Sequence, residues 1–273
     1  MENWKSRIDP AFPGWEGYRL LLGALPDDGF PDADALNALL PQEVKSHGGP
    51  AIRFVPSDDM PVGDYERQIF ETGRVSTRVD NWHDLFNALA WCRFPRLKAA
   101  MNAMHHQHLG SASKGRRGRV RDALTLLDES GVIVAGSNPD ALQSLVKRDW
   151  PSAFMTHRTA WWEEIKVLVC GHAILEKFLD PYKSLTAHAL VLYAPDNPSV
   201  ESLDALLSAE LVRDGMLRGS ADLSPLPLMG IPGWWAGGPQ DQSFYDDQSV
   251  FRPAASHHVI APIHDTGHLE NPV

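Results

Sequence analysis

The sequence predicts an α+β fold, with mixed helices packed around a small, mainly antiparallel sheet in a single domain. Three observations lead there. Apolar residues recur at helical spacing in several long segments, foremost Trp82, Leu85, Phe86 and Leu89, which fall within about 60° of one another on a helical wheel. Short runs rich in strand-forming residues, such as residues 51–55 and the HALVLY run from His188, lie between turn residues. Strand and helix patterns do not alternate often enough for a doubly wound parallel sheet.

Taken in order, residues 1–33 are rich in Pro, Gly and aromatics, among them Trp4, Phe12, Trp15 and Tyr18, and read as an arm packed on the domain. With a short helix at 34–44, the arm extends to residue 49. The main domain then runs from 50 to 253, and 254–273 form a loose tail whose His257, His258, His264 and His268 can bind metal adventitiously. Inside the domain, a helix over 65–71 ends at Gly73, and residues 75–77 lead into the central segment. Asn81 caps the central helix, with Asp84 at its third position facing the unpaired first-turn N–H groups. Pro95 opens a second helix, 96–105, with Leu97, Met101 and Met104 inward. Residues 123–128 and 132–135 read as a β-hairpin around Glu129-Ser130-Gly131, which leaves Asp128 as a turn residue. Asn138 caps a helix over 139–147, and 161–179 read as one largely buried helix ended by Asp180-Pro181. A helix over 200–212 precedes the LPLMGIPGWW and SFYDDQSVFRP segments, whose aromatics Trp234, Trp235, Phe244, Tyr245 and Phe251 seal one side of the domain.

WHDLFNALAW, FPRLKAAMNAMH, RDALTLLDESG, GHAILEKFLDPYKSLTAHAL, LPLMGIPGWW and FYDDQSVFRP, in that order, resemble a bacterial family known as domain of unknown function 3025 over roughly residues 50–253. The resemblance implies a single domain. It carries no activity and no catalytic residue.

Composition narrows the function classes. With 43% hydrophobic and 22% charged residues, the chain is an ordinary globular one. A formal charge of −10 argues against broad nucleic-acid binding. Cys92 and Cys170 are the only cysteines, too few for a disulfide framework or a CxxC metal site. No apolar run approaches 18 residues and the N-terminus lacks a signal-peptide pattern, so the expected location is the cytoplasm, away from membrane.

The chemistry-bearing groups gather in a few places. His83 and Asn87 stand one helical turn apart beside an apolar stripe, where an imidazole or amide without partners costs about 1–3 kcal/mol. His172 and Glu176 repeat that spacing, an arrangement suited to a metal or to a base held by an orienting acid. His188 opens a strand, His105 ends a helix, and Asp122 adds a carboxylate beside Arg121. Between Gly110 and Asp122, Lys114, Arg116, Arg117, Arg119 and Arg121 punctuate small residues and form a basic loop able to hold an anionic group.

The leading reading is a hydrolase. His83, Asp84, His172 and Glu176 are its catalytic groups; Asn87, Arg116, Arg117, Arg119 and Arg121 bind a small substrate with an anionic group; and His83, His172, His188 and Asp122 hold one divalent metal ion if the chemistry uses one. The alternative is a ligand- or partner-binding protein without catalysis, using the basic loop 114–121 and the aromatic C-terminal loops. A nucleic-acid module is a third reading, resting on the same basic residues.

Overall fold

Two helices joined at a proline form the centre of the computed structural model, which describes residues 3–41, 44–59, 65–108, 116–213, 216–257 and 259–268. Preceding them are α1 (Arg19–Ala24), α2 (Ala33–Asn37), strand β1 (Arg53–Pro56), α3 (Tyr65–Thr72) and strand β2 (Arg74–Thr77), with β1 and β2 paired in parallel. The N-terminal residues are part of the core. Trp15 and Tyr18 are fully buried, and the Tyr18 hydroxyl donates to the Val169 carbonyl oxygen at 2.7 Å.

The central pair is α4 (Trp82–Arg93) and α5 (Pro95–Gln107). As expected, the Asn81 side chain accepts from the Asp84 N–H at 3.0 Å, and Pro95 starts the second helix. Every α4 residue from Leu85 to Cys92 is buried, so this part of the helix lies inside the molecule with no exposed face.

Two expectations fail beyond it. Residues 123–130 are helical, part of α6 (Arg116–Ser130), so the hairpin does not exist. Val120, Ala123, Leu124 and Leu127 are buried at helical spacing, and Ser130 ends the helix against Gly131, where any Cβ would collide with the Leu127 carbonyl. The segment 161–179 divides in three: α8 (Ala160–Glu163), strand β4 (Ile165–Val169) and α9 (His172–Lys177). The Ile-Lys-Val-Leu-Val run prefers the sheet, where it pairs antiparallel with β3 (Gly131–Gly136). α7 (Pro139–Val146) carries the expected Asn138 cap.

Strand β3 is buried along its whole length and reads as a continuous apolar run because both its faces are covered. It pairs in parallel with β5 (Thr186–Tyr193), which continues the sheet to β6 (Ser224–Pro227) antiparallel and to β7 (Ile263–Asp265) in parallel. The α+β class holds, and the five-stranded sheet is mixed, with antiparallel and parallel pairings in equal number. Strand β7 also corrects the loose tail, since residues near the C-terminus complete a sheet edge. The helix α10 (Val200–Val212) packs on α5, and the short α11 (Gln242–Tyr245) contributes Phe244 and Tyr245 to an aromatic cluster with Phe154 and Phe251. Among the described residues, no helix is long and apolar enough to cross a membrane.

Candidate active site

Glycines set the site. Cys170 and Gly171 both donate their N–H to the Gly131 carbonyl, at 3.1 and 2.8 Å, so the chain entering α9 crosses directly over the end of α6. A Cβ at Gly171 would collide with the Gly131 nitrogen and stand 2.7 Å from the Glu129 carbonyl oxygen. Only glycine permits this approach. The approach brings His172, first residue of α9, against Asp128 and Glu129 in the last turn of α6.

Packing of α9 on α4 supplies the rest. His83 Nε2 lies 3.0 Å from His172 Nε2, and His83 Nδ1 lies 3.1 Å from Glu176 Oε2. Glu129 Oε2 is 3.6 Å from His172 Nε2, and one ligand atom each from His83, Glu129 and His172 lies within 4.8 Å of the others. His172 is 5% exposed in its side chain while His83 and Glu129 are 36% and 43% exposed, so the cluster is closed beneath and open above. It opens into a cleft of about 340 Å³ whose walls include Tyr65, Ser76, Arg78 and Asn87.

A line of polar contacts supports His172 from behind. Its Nδ1 faces Asp128 Oδ2 at 3.7 Å, beyond hydrogen-bond reach, and is a buried nitrogen without a hydrogen-bond partner. The other Asp128 oxygen accepts from Lys98 Nζ at 2.5 Å, and the same ammonium donates to Asn87 Oδ1 at 2.9 Å. Asn87 in turn donates to the Tyr65 hydroxyl at 2.9 Å. Burial works to raise the Asp128 carboxyl, but Lys98 and then His172 override it and hold the group below its ordinary value. Burial pushes His172 down to about 4, assisted by Lys98 and His83 against the pull of Asp128. Burial raises Glu129, with Asp128 adding to it.

With both imidazoles neutral, each tautomer of His172 leaves one unfavourable contact. His83 Nδ1 carries its proton toward Glu176, which leaves a lone pair on Nε2 in the neutral ring. If His172 carries its proton on Nδ1, two lone pairs face each other across 3.0 Å. If it carries the proton on Nε2, the bare Nδ1 faces the Asp128 carboxylate. A cation between the Nε2 atoms, a metal ion or an added proton, removes the conflict. Two nitrogens about 2.0–2.1 Å from a tetrahedral zinc ion stand about 3.3 Å apart, a few tenths from the observed spacing, and a His₂Glu donor set suits such an ion.

Of the residues expected from sequence, His83, His172 and Glu176 meet. Glu176 faces His83 on the neighbouring helix rather than forming a unit with His172 alone. Asp84 is taken by Arg78, accepting from its main-chain N–H, Nε and Nη2 at 2.7–2.9 Å, so it builds the wall and not the cluster. Asn87 makes one bond from each end of its amide, to Tyr65 and to Lys98, and lines the cleft. His188 and Asp122 are outside the metal-ligand group. His188 bonds Ser130, and Asp122 is exposed on α6 about 9 Å along the axis from Asp128. His105 lines a small internal cavity with Tyr65, Lys98 and Asp128.

The basic loop is not a loop where it is described. Arg116, Arg117, Arg119 and Arg121 lie in the first turns of α6, Arg119 about 15 Å of helix away from Glu129, and Lys114 lies outside the described residues. Sequence reasoning missed Glu129, Asp128 and Lys98. The first two were hidden by the hairpin reading, although a helical period through Val120, Leu124 and Leu127 would have placed Asp128 beside the buried stripe.

Compared with known proteins, residues 52–255 match the model of a family described as protein of unknown function (DUF3025). No curated protein and no solved structure matches the chain.

Proposed function

The chain belongs to the DUF3025 family, whose description names no activity, and from the geometry of the cluster we propose that it is a metal-dependent hydrolase acting on a small substrate with an anionic group. The observation that carries this reading is the convergence of one ligand atom each from His83, His172 and Glu129 within 4.8 Å at the floor of an open cleft. These three hold one divalent ion, zinc-like in its preference for nitrogen with carboxylate. When bound, such an ion lowers the pKa of a coordinated water toward neutrality and polarises a substrate oxygen.

The chain's own groups do the remaining work. Glu176 fixes the His83 tautomer and ring orientation, and Asp128, held ionised by Lys98, places a negative charge behind His172. Exposure of His83 and Glu129 leaves the cleft side open for water and substrate. Arg78 lines that cleft, and Asp84 engages its Nε and Nη2, so its Nη1 has no partner among the described residues and suits a substrate carboxylate or phosphate.

Elemental analysis of the full, untagged chain tests the reading. The full chain is needed because truncation before β7 would remove a sheet strand. About one equivalent of a transition ion is expected, with metal and heat stability lost together on chelation, and with His172→Ala and Glu129→Ala unable to retain the ion. Folded wild-type protein that holds no ion and gains no stability from added Zn²⁺ or Mn²⁺ would remove the metal from the proposal. Arg78→Gln should raise KM for anionic ester substrates while leaving metal content unchanged.

A further inference from the structure

A second cleft, of about 750 Å³, lies on the other side of α6. Leu126 belongs to its wall and Asp128 to that of the first cleft, and these residues are about 200° apart around the helix. Although the chain carries a formal charge of −10, the lining of this cleft contains Arg148, Arg252 and His188 and no carboxylate.

Arg148 occupies an unusual backbone position for its type. It follows Lys147, the C-cap of α7, with φ +57°, a left-handed conformation that helix ends ordinarily give to glycine. A residue without a Cβ would suit this backbone better. Its Nε is buried without a hydrogen-bond partner, and neither its guanidinium nor that of Arg252 has an ion pair or hydrogen bond among the described residues. A guanidinium fork left open in a partly desolvated cleft matches an oxyanion.

His188 supplies the complementary group. The Ser130 hydroxyl donates its one proton to the Leu126 carbonyl at 3.1 Å, so at 2.8 Å it accepts from His188 Nδ1. This fixes the neutral tautomer with a lone pair on Nε2, and burial, with Lys177 assisting, lowers the pKa and keeps the ring neutral. Leu126, Leu223, Val250 and Pro225 add apolar wall for an organic body.

We propose that this cleft binds a small organic phosphate or carboxylate, its oxyanion on Arg148 and Arg252 and a ligand hydroxyl donating to His188 Nε2. The site is independent of the metal cluster and of the reaction proposed there.

Calorimetric titration of the full chain with phenyl phosphate, benzoate and inorganic phosphate tests it. At least one of the organic anions should bind, and the stronger of the two identifies the oxyanion. Arg148→Gly should weaken binding by about tenfold or more while its Tm stays level or rises, because glycine accepts the left-handed backbone without strain. Arg252→Gln should weaken it likewise, and His172→Ala should leave it unchanged. No heat from any probe with the wild type, or affinity within about twofold of wild type in both arginine variants, would overturn the proposal.

Discussion

Lys98 is only 4% exposed and answers two acceptors at once, Asp128 and Asn87, so the charge balance of the whole cluster passes through one ammonium group. Taking such a charge out of water is favourable only while its partner is in place, and removing one member of a buried pair costs about 3–5 kcal/mol. Lys98→Met should therefore destabilise the chain by about 3 kcal/mol in urea unfolding, and adding Asp128→Leu should recover much of that loss. Arg78→Met is the control. It breaks an ion pair in which the arginine side chain is 58% exposed and should cost less than about 1 kcal/mol. If Lys98→Met is as mild as Arg78→Met, the buried charge is not what holds Asp128 behind His172. At this scale the sequence was informative about His83, His172 and Glu176, because polar residues one turn apart on an apolar helix demand partners. It was silent about Lys98, whose side chain reads as a surface lysine until Asp128 is known to face it.

At the scale of elements, the site depends on where the chain changes from helix to strand and back. The capped, proline-punctuated helices α4, α5 and α7 were legible, since Asn81, Pro95 and Asn138 are local signals with local effects. The segments around α6 and α9 were not: the apolar run of 165–169 suits either period until it pairs with β3, and the turn-like Glu129-Ser130-Gly131 masked the helical period of α6. Gly171 is the residue that joins these two elements. Its replacement by alanine forces the Cβ into the main chain of Gly131 and Glu129, and neither backbone can yield as a flexible side chain would. Gly171→Ala should cost about 1–3 kcal/mol, as overpacking does, and should loosen metal retention by parting His172 from Glu129. Gly23→Ala, with open space around the added carbon, gives the comparison that should leave both unchanged. Equal Tm and equal metal content for Gly171→Ala and wild type would show that the close approach is not required.

Across the whole molecule, His83 and His172 come from helices 89 residues apart, and no local pattern specifies that meeting. It follows from how α4 and α9 pack over the end of α6, which is a property of the assembled core. The same assembly half-buries histidines outside the cluster, and this gives the metal-free chain a pH dependence whose sign can be derived. Burial lowers the pKa of His188 and of His264, the latter in β7 near Asp222 and Arg218, below the ordinary value of 6.5. As pH falls past about 6.5 the unfolded chain takes up these protons first, so stability contributed by the neutral rings is present above that pH and is lost as pH falls toward the folded pKa values. Overall charge acts in the opposite direction, because a chain with formal charge −10 loses self-repulsion as it is acidified. Asp128, held below its ordinary value of 3.8, starts to lose its contribution only as pH falls toward that value, beneath the interval in which the histidines titrate. A net decline in urea midpoint between about pH 6.5 and 5 therefore points to the histidines whose pKa folding lowers, His188 and His264 together with His105 and His172. His188→Gln and His264→Gln, measured in the presence of chelator, should each flatten that slope, and their combination should flatten it further. A midpoint that holds level or rises over this interval in the wild type would mean that these rings are solvated well enough to protonate in place.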